Sequence, residues 1–276
     1  MRVYGIDFTS TPSRTKPITV AVCQLRPGEL HLLQLLRIRD LDAFERSLQE
    51  PGPWIAAMDF PFGLPRQLIR DLEWPSEWTR YTRHVAALTR KEFENLLQLY
   101  MAVRPKGRKE LRRQTDASAG ALSPMKLHYV PLAKMYYEGA KRLEASSLNI
   151  LPCRPTDDPR VVLEGYPGLA ARQLIGRRSY KITGRSKQEQ ARHDARAKIV
   201  RALTGHQALD LYGFRVDIGN FLLEELVDDA LGDHLDAVLC ATQAGWALAN
   251  RARGYGIPSH CDPREGWIVD PGNRPR

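Results

Sequence analysis

The chain of 276 residues carries 41 Lys+Arg against 32 Asp+Glu, a formal charge of +9, with 43% apolar and 26% charged residues. That balance is globular rather than disordered or fibrous, and the length suffices for one large α/β domain or two smaller ones. With no run of eighteen apolar residues and no secretory pattern in the opening Met1–Asp7, a membrane-spanning helix is excluded and a cytoplasmic protein is expected.

Residues 2–7 (RVYGID) read as a short strand ending in an acid, and 17–25 (PITVAVCQL) as a second. The third run, 29–38 (ELHLLQLLRI), is apolar enough for helix or strand, and the short connections with Gly28 favour a three-stranded meander. Asp40 suits the cap of a helix through Gln49, with Leu41, Phe44 and Leu48 on one face. Residues 53–59 (PWIAAMD) form a buried strand, which Phe60-Pro61-Phe62-Gly63-Leu64-Pro65 breaks. From 66 to 150 the pattern is an interrupted helical insertion, clearest at Glu92–Met101 and Pro131–Ala145. Val161–Glu164 returns to strand, ended by Gly165-Tyr166-Pro167-Gly168. Helices follow at 186–203, near 220–229 and at 233–252, and 266–269 (GWIV) suits an edge strand. The order predicts an α/β fold, a mixed sheet with helices on both faces.

The charge is uneven. Arg104–Arg113 holds six basic residues and one acid, and Arg177–Lys187 holds five and none, which leaves 30 basic against 31 acidic residues elsewhere. Two local basic segments on a neutral body suit a polyanion such as nucleic acid, and equally a pair of solvated loops. The four cysteines (Cys23, Cys153, Cys240, Cys261) lack CxxC spacing, against structural zinc or a disulfide framework.

Asp7 and Asp59 each close an apolar run, and in an open α/β sheet ligands bind beyond the carboxyl ends of parallel strands. If the two strands are parallel neighbours, both acids meet in one crevice, where oxygen ligands suit a hard divalent cation. The alternative is two turn caps. Asp233 and Asp236 share a helix face at i and i+3 and could complete a two-metal site, with ions about 3.5–4 Å apart. They also suit the N-cap and first turn of that helix. Glu164, at another strand end, is a further candidate ligand or a structural acid.

Four segments, YGIDFTS, AAMDFPFGLP, LEGYPGLAAR and DHLDAVLCATQA, resemble in order the signature segments of the domain-of-unknown-function family numbered 429. Arg113–Asp116, Leu122–Lys126 and Lys134–Gly139 extend the resemblance over nearly the whole chain. It implies a predicted nuclease with a ribonuclease-H-like fold: a five-stranded sheet in the order 3-2-1-4-5 within a single domain. It also implies acids on the first strand, fourth strand and last helix, here Asp7, Asp59 and Asp236, and phosphodiester cleavage dependent on Mg²⁺ or Mn²⁺. Asp233 forms with Asp236 a D-x-x-D pair like that of some Holliday-junction resolvases, a hint of a homodimer.

The leading expectation is therefore a metal-dependent nuclease acting on DNA or RNA, with Asp7, Asp59, Asp236, Asp233 and Glu164 as its acids. Arg112, Arg113, Lys126, Arg177, Arg178 and Lys181 are its candidate substrate contacts. His234 is expected at the surface. Two alternatives remain: a phosphotransferase or ATPase of the actin/sugar-kinase group, from Gly5–Ser10 and Asp59–Gly63, and a non-catalytic binding module.

Overall fold

The apolar runs at the start of the chain pair as an antiparallel meander. In the computed structural model, which describes residues 1–182 and 189–274, these are β1 (Arg2–Asp7), β2 (Ile18–Arg26) and β3 (Glu29–Ile38). Gly28 turns between β2 and β3 at φ +77°, a left-handed conformation that glycine takes without a Cβ clash. The ambiguous third run is a strand because β2 pairs with it from end to end. Asp40 then caps α1 (Leu41–Ser47), its carboxylate accepting from the Ala43 N–H at 2.7 Å.

β4 (Trp54–Met58) runs parallel to β1, with Met58 opposite Ile6, and is buried throughout, as a central parallel strand should be. Five helices follow: α2 (Arg66–Asp71), α3 (Trp78–Ala87), α4 (Arg90–Ala102), α5 (Gln114–Ala119) and α6 (Leu132–Ala145). α4 and α6 lie where the periodicity places helices. α3 and α5 are additional. In α3 the buried stripe is Trp78, Tyr81, Thr82 and Val85, whose mixed polarity hides the period. The chain continues with β5 (Asn149–Ile150), β6 (Arg160–Glu164), α7 (Pro167–Ile175), α8 (Glu189–Thr204) and α9 (His206–Tyr212). β7 (Arg215–Ile218), α10 (Asn220–Asp228) and α11 (Asp233–Ala249) complete it.

The sheet has seven strands in the order β5-β6-β4-β1-β2-β3-β7. This corrects the five-stranded order 3-2-1-4-5. The five expected strands form the contiguous run β3-β2-β1-β4-β6, and one short strand is added at each edge. β5 spans two residues and β7 four, too short for an alternating pattern to show. β6 ends at Glu164, before the run Gly165–Gly168 as expected, and Pro167 within that run opens α7, where its missing N–H has no helical partner to lose. Residues 266–269 make a single parallel bridge, Ile268 with Glu164, rather than an edge strand.

The two larger apolar cores lie on opposite faces of the sheet. One joins Val3, Ile55 and Leu163 to α7–α11, and the other joins Ile6, Met58 and Val162 to α1–α4 and α6. α11 presses onto β1 so closely that a Cβ on Gly5 would stand 1.9 Å from the Ala237 carbonyl oxygen and 2.1 Å from the Ala241 nitrogen. Backbone on both sides leaves nothing that can move aside. Among the described residues no helix is long and apolar enough to cross a membrane.

Gly5→Ala is expected to lower the unfolding free energy by at least about 3 kcal/mol, because overpacking here meets backbone rather than side chain. Urea denaturation followed by circular dichroism checks this, and an unchanged midpoint would contradict the contact.

Candidate metal centre

β1 and β4 are parallel neighbours, and the Asp59 N–H donates to the Ile6 carbonyl at 2.9 Å. Ile6 and Met58 point into the core on the α6 side, so strand alternation turns Asp7 and Asp59 toward α11. Asp236, in the first turn of α11, faces them from above. One carboxylate oxygen from each of Asp7, Asp59 and Asp236 lies within 4.8 Å of the other two. Asp7 and Asp59 are half-buried, and Asp236 is 2% exposed.

Packing three acids together opposes their ionisation. Burial pushes the Asp7 carboxyl well above the usual range; Lys181 opposes the rise, and Asp236, Asp233 and Asp59 add to it. Burial pushes Asp59 up to about 7, with Asp236 adding to it and Lys181 opposing. Asp236 is raised by burial against the pull of Lys181 and of the Tyr180 hydroxyl. That hydroxyl donates to Asp236 Oδ1 at 2.6 Å, while the Lys181 ammonium pairs with Asp236 and stands 3.7 Å from Asp233. Tyr180 is absent from the sequence-derived site; its only signal is its place inside the second basic segment.

Asp233 does not join the three. It is the first residue of α11, across Lys181, and Gly232 at φ +73° occupies the cap position instead. His234, expected at the surface, is 5% exposed and its Nε2 accepts from Arg37 Nε at 3.0 Å. Glu164 is not among the three, although it lines the same cleft and its charge adds to the rise of the Asp59 carboxyl. It pairs in register with Met58, so it shares that residue's face of the sheet, opposite to Asp59.

There Glu164 is held by Arg113, through Nη1–Oε2 at 2.7 Å and Nη2–Oε1 at 2.6 Å, and by the Phe62 N–H at 2.9 Å. The same guanidinium binds Asp116 at 2.6 and 3.0 Å and the Glu265 carbonyl at 2.7 Å. Arg113 is thus 1% exposed, which corrects its expected place in an exposed phosphate-binding loop. A fully bonded buried arginine has no donor left for a nucleic-acid backbone.

The other expected contacts are peripheral. Arg112 is exposed and lines a 730 Å³ groove with Arg104, Arg108 and Lys109. Lys126 is half-buried and shapes a turn, its N–H donating to the Ser123 carbonyl and its carbonyl accepting from Ala133. Arg177 is exposed; Arg178 lines a 520 Å³ groove with Arg192, Lys198 and Arg201. Arg185 and Lys187 of the second basic segment, and the expected helix start at 186, lie outside the described residues. A 270 Å³ cleft is lined by Asp59, Asp236, Lys181, Tyr166, Leu122 and Met135, and by Arg113, Asp116 and Glu164; it shares Leu122 with the first groove. A separate cavity of 350 Å³, lined by Tyr4, Trp54 and Leu36 among others, holds none of the three acids.

The raised Asp59 carboxyl fixes a pH dependence. The folded chain keeps this proton up to about pH 7, whereas a free carboxyl gives it up near 3.8. Without divalent ions, stability therefore falls as pH rises between those values and levels off above. Asp59→Asn is expected to flatten that slope and to raise the melting temperature at pH 8, as read by differential scanning calorimetry in EDTA. A slope as steep as wild type would contradict the assignment.

No curated protein and no solved structure matches the chain. The family model DUF429, described as a protein of unknown function, matches residues 5–260 and so contains all three acids. Covering nearly the whole length, that match shows that the chain belongs to the DUF429 family.

Proposed function

We propose that the protein is a divalent-metal-dependent nuclease that hydrolyses phosphodiester bonds of DNA or RNA. The observation that carries this reading is the convergence of Asp7, Asp59 and Asp236 from two parallel strand ends and a helix start. The donor set fits Mg²⁺ or Mn²⁺: hard carboxylate oxygens, closely spaced, and held too near one another to ionise freely without a cation. Asp7, Asp59 and Asp236 would hold the metal, which when bound activates water and offsets the charge on the departing oxygen.

The chain's own groups supply the rest. The Tyr180 hydroxyl orients Asp236 through its hydrogen bond. Leu122 and Met135 give the cleft part of its apolar lining. Arg104, Arg108 and Arg112 in one groove, and Arg178, Arg192 and Arg201 in another, offer positive charge for phosphates. His234 is committed to Arg37 and takes no part as a proton shuttle.

Asp7→Asn is expected to reduce Mn²⁺-dependent cleavage by at least about 100-fold while leaving the circular dichroism spectrum unchanged. Single-stranded, duplex and branched substrates should all be assayed. Equal rates for both proteins on every substrate would overturn the proposal.

A further inference from the structure

Lys181 stands where a metal would have to compete. Its ammonium holds one oxygen of Asp236 while the Tyr180 hydroxyl holds the other, so both oxygens of that carboxylate are engaged by the same short segment. It lies 3.7 Å from Asp233, and it lines the cleft together with Asp59 and Asp236. A divalent ion drawing on Asp7, Asp59 and Asp236 needs the oxygen that faces their common centre. An ammonium and a divalent cation crowded against one buried carboxylate repel each other strongly.

Lysine also has the means to leave. Its side chain lines the cleft and is 33% exposed, and a flexible four-carbon stem carries a compact charge that water solvates well. The stem therefore lets the head move out without disturbing the backbone that Arg196 holds through the Tyr180 carbonyl at 2.9 Å.

We propose that Lys181 and a divalent cation are alternative partners of Asp236, so that the ammonium is a built-in competitor which metal loading displaces. The inference rests on the three acids being a metal centre, as proposed above. It assigns Lys181 a role different from that of the exposed arginines beside it. While paired, the lysine neutralises a buried acid that would otherwise be left unpaired at a considerable penalty. Once displaced, it stays beside Arg178, within the second basic segment. Metal affinity is thereby set by a difference between two cations rather than by the acids alone.

Two measurements on the full chain test this. In the first, the protein is acetylated with acetic anhydride with and without Mn²⁺, and the extent at each lysine is read by peptide mass spectrometry. Acetylation of Lys181 is expected to rise severalfold with Mn²⁺, while that of the exposed Lys91 on α4 stays constant. In the second, Mn²⁺ is titrated calorimetrically into wild type, Lys181→Met and Asp7→Asn. Lys181→Met is expected to bind at least about fivefold more tightly than wild type.

Mn²⁺ binding to wild type with unchanged acetylation of Lys181 overturns the competition, as does equal or weaker binding by Lys181→Met. Absence of Mn²⁺ binding to both wild type and Lys181→Met, or binding indifferent to Asp7→Asn, overturns the metal centre itself. The two failures are thus distinct, and the acetylation arm needs no variant to fold.

Discussion

α11 lies on β1 with no side chain between them at Gly5, and the geometry of the acidic cleft follows from that contact. The helix backbone passes close enough that even a methyl group would overlap Ala237 and Ala241. This fixes the first turn of α11, and with it Asp236, directly above the end of β1. The parallel register of β1 and β4 brings Asp59 level with Asp7 through the Asp59 N–H to Ile6 bond. Three acids far apart in sequence meet because a glycine, a register and a helix start coincide.

The acids fall into two groups that leave the sheet on opposite faces yet border one cleft. On the α11 face, Asp7, Asp59 and Asp236 share Lys181 as their nearest cation. On the other face, Glu164 and Asp116 share Arg113, in a geometry that satisfies each charged oxygen. The second cluster is structural. Arg113 ties the helical insertion to β6 and to the C-terminal segment through the Glu265 carbonyl, while the Glu265 carboxylate accepts from the N–H groups of Arg66 and Gln114. Those two donors sit at the starts of α2 and α5, where a negative charge is favoured. Removing one member of such a buried set leaves charge without a partner, which is why it holds the insertion in place. The first cluster is under-neutralised by comparison: one ammonium stands among three acids, whereas the Arg113 guanidinium bonds every carboxylate oxygen of two.

Much of this was legible in the residues. Asp7 and Asp59 stand out because each follows an apolar run that reads as a strand, and Asp236 because it shares a helix start with Asp233. What one chain does not display is register. Glu164 looks like Asp59, an acid at a strand end, yet its pairing with Met58 turns it to the opposite face. Arg113 looks like its neighbours in a basic run. Its burial depends on Glu164, 51 residues away, and on Asp116 one helical turn on. The edge strands β5 and β7 are too brief to show a period, and α7 hides behind a proline that reads as a stop. Local chemistry survives in sequence, whereas parity and long-range pairing appear only on folding.

As proposed above, Asp7, Asp59 and Asp236 form one divalent-cation centre. The direct measurement is anomalous X-ray scattering at the manganese edge from crystals of the full chain grown with Mn²⁺. The expected result is a peak between the three carboxylates, with the Lys181 ammonium moved away from Asp236. A peak elsewhere, or none at an Mn²⁺ concentration that saturates calorimetric binding, would contradict it.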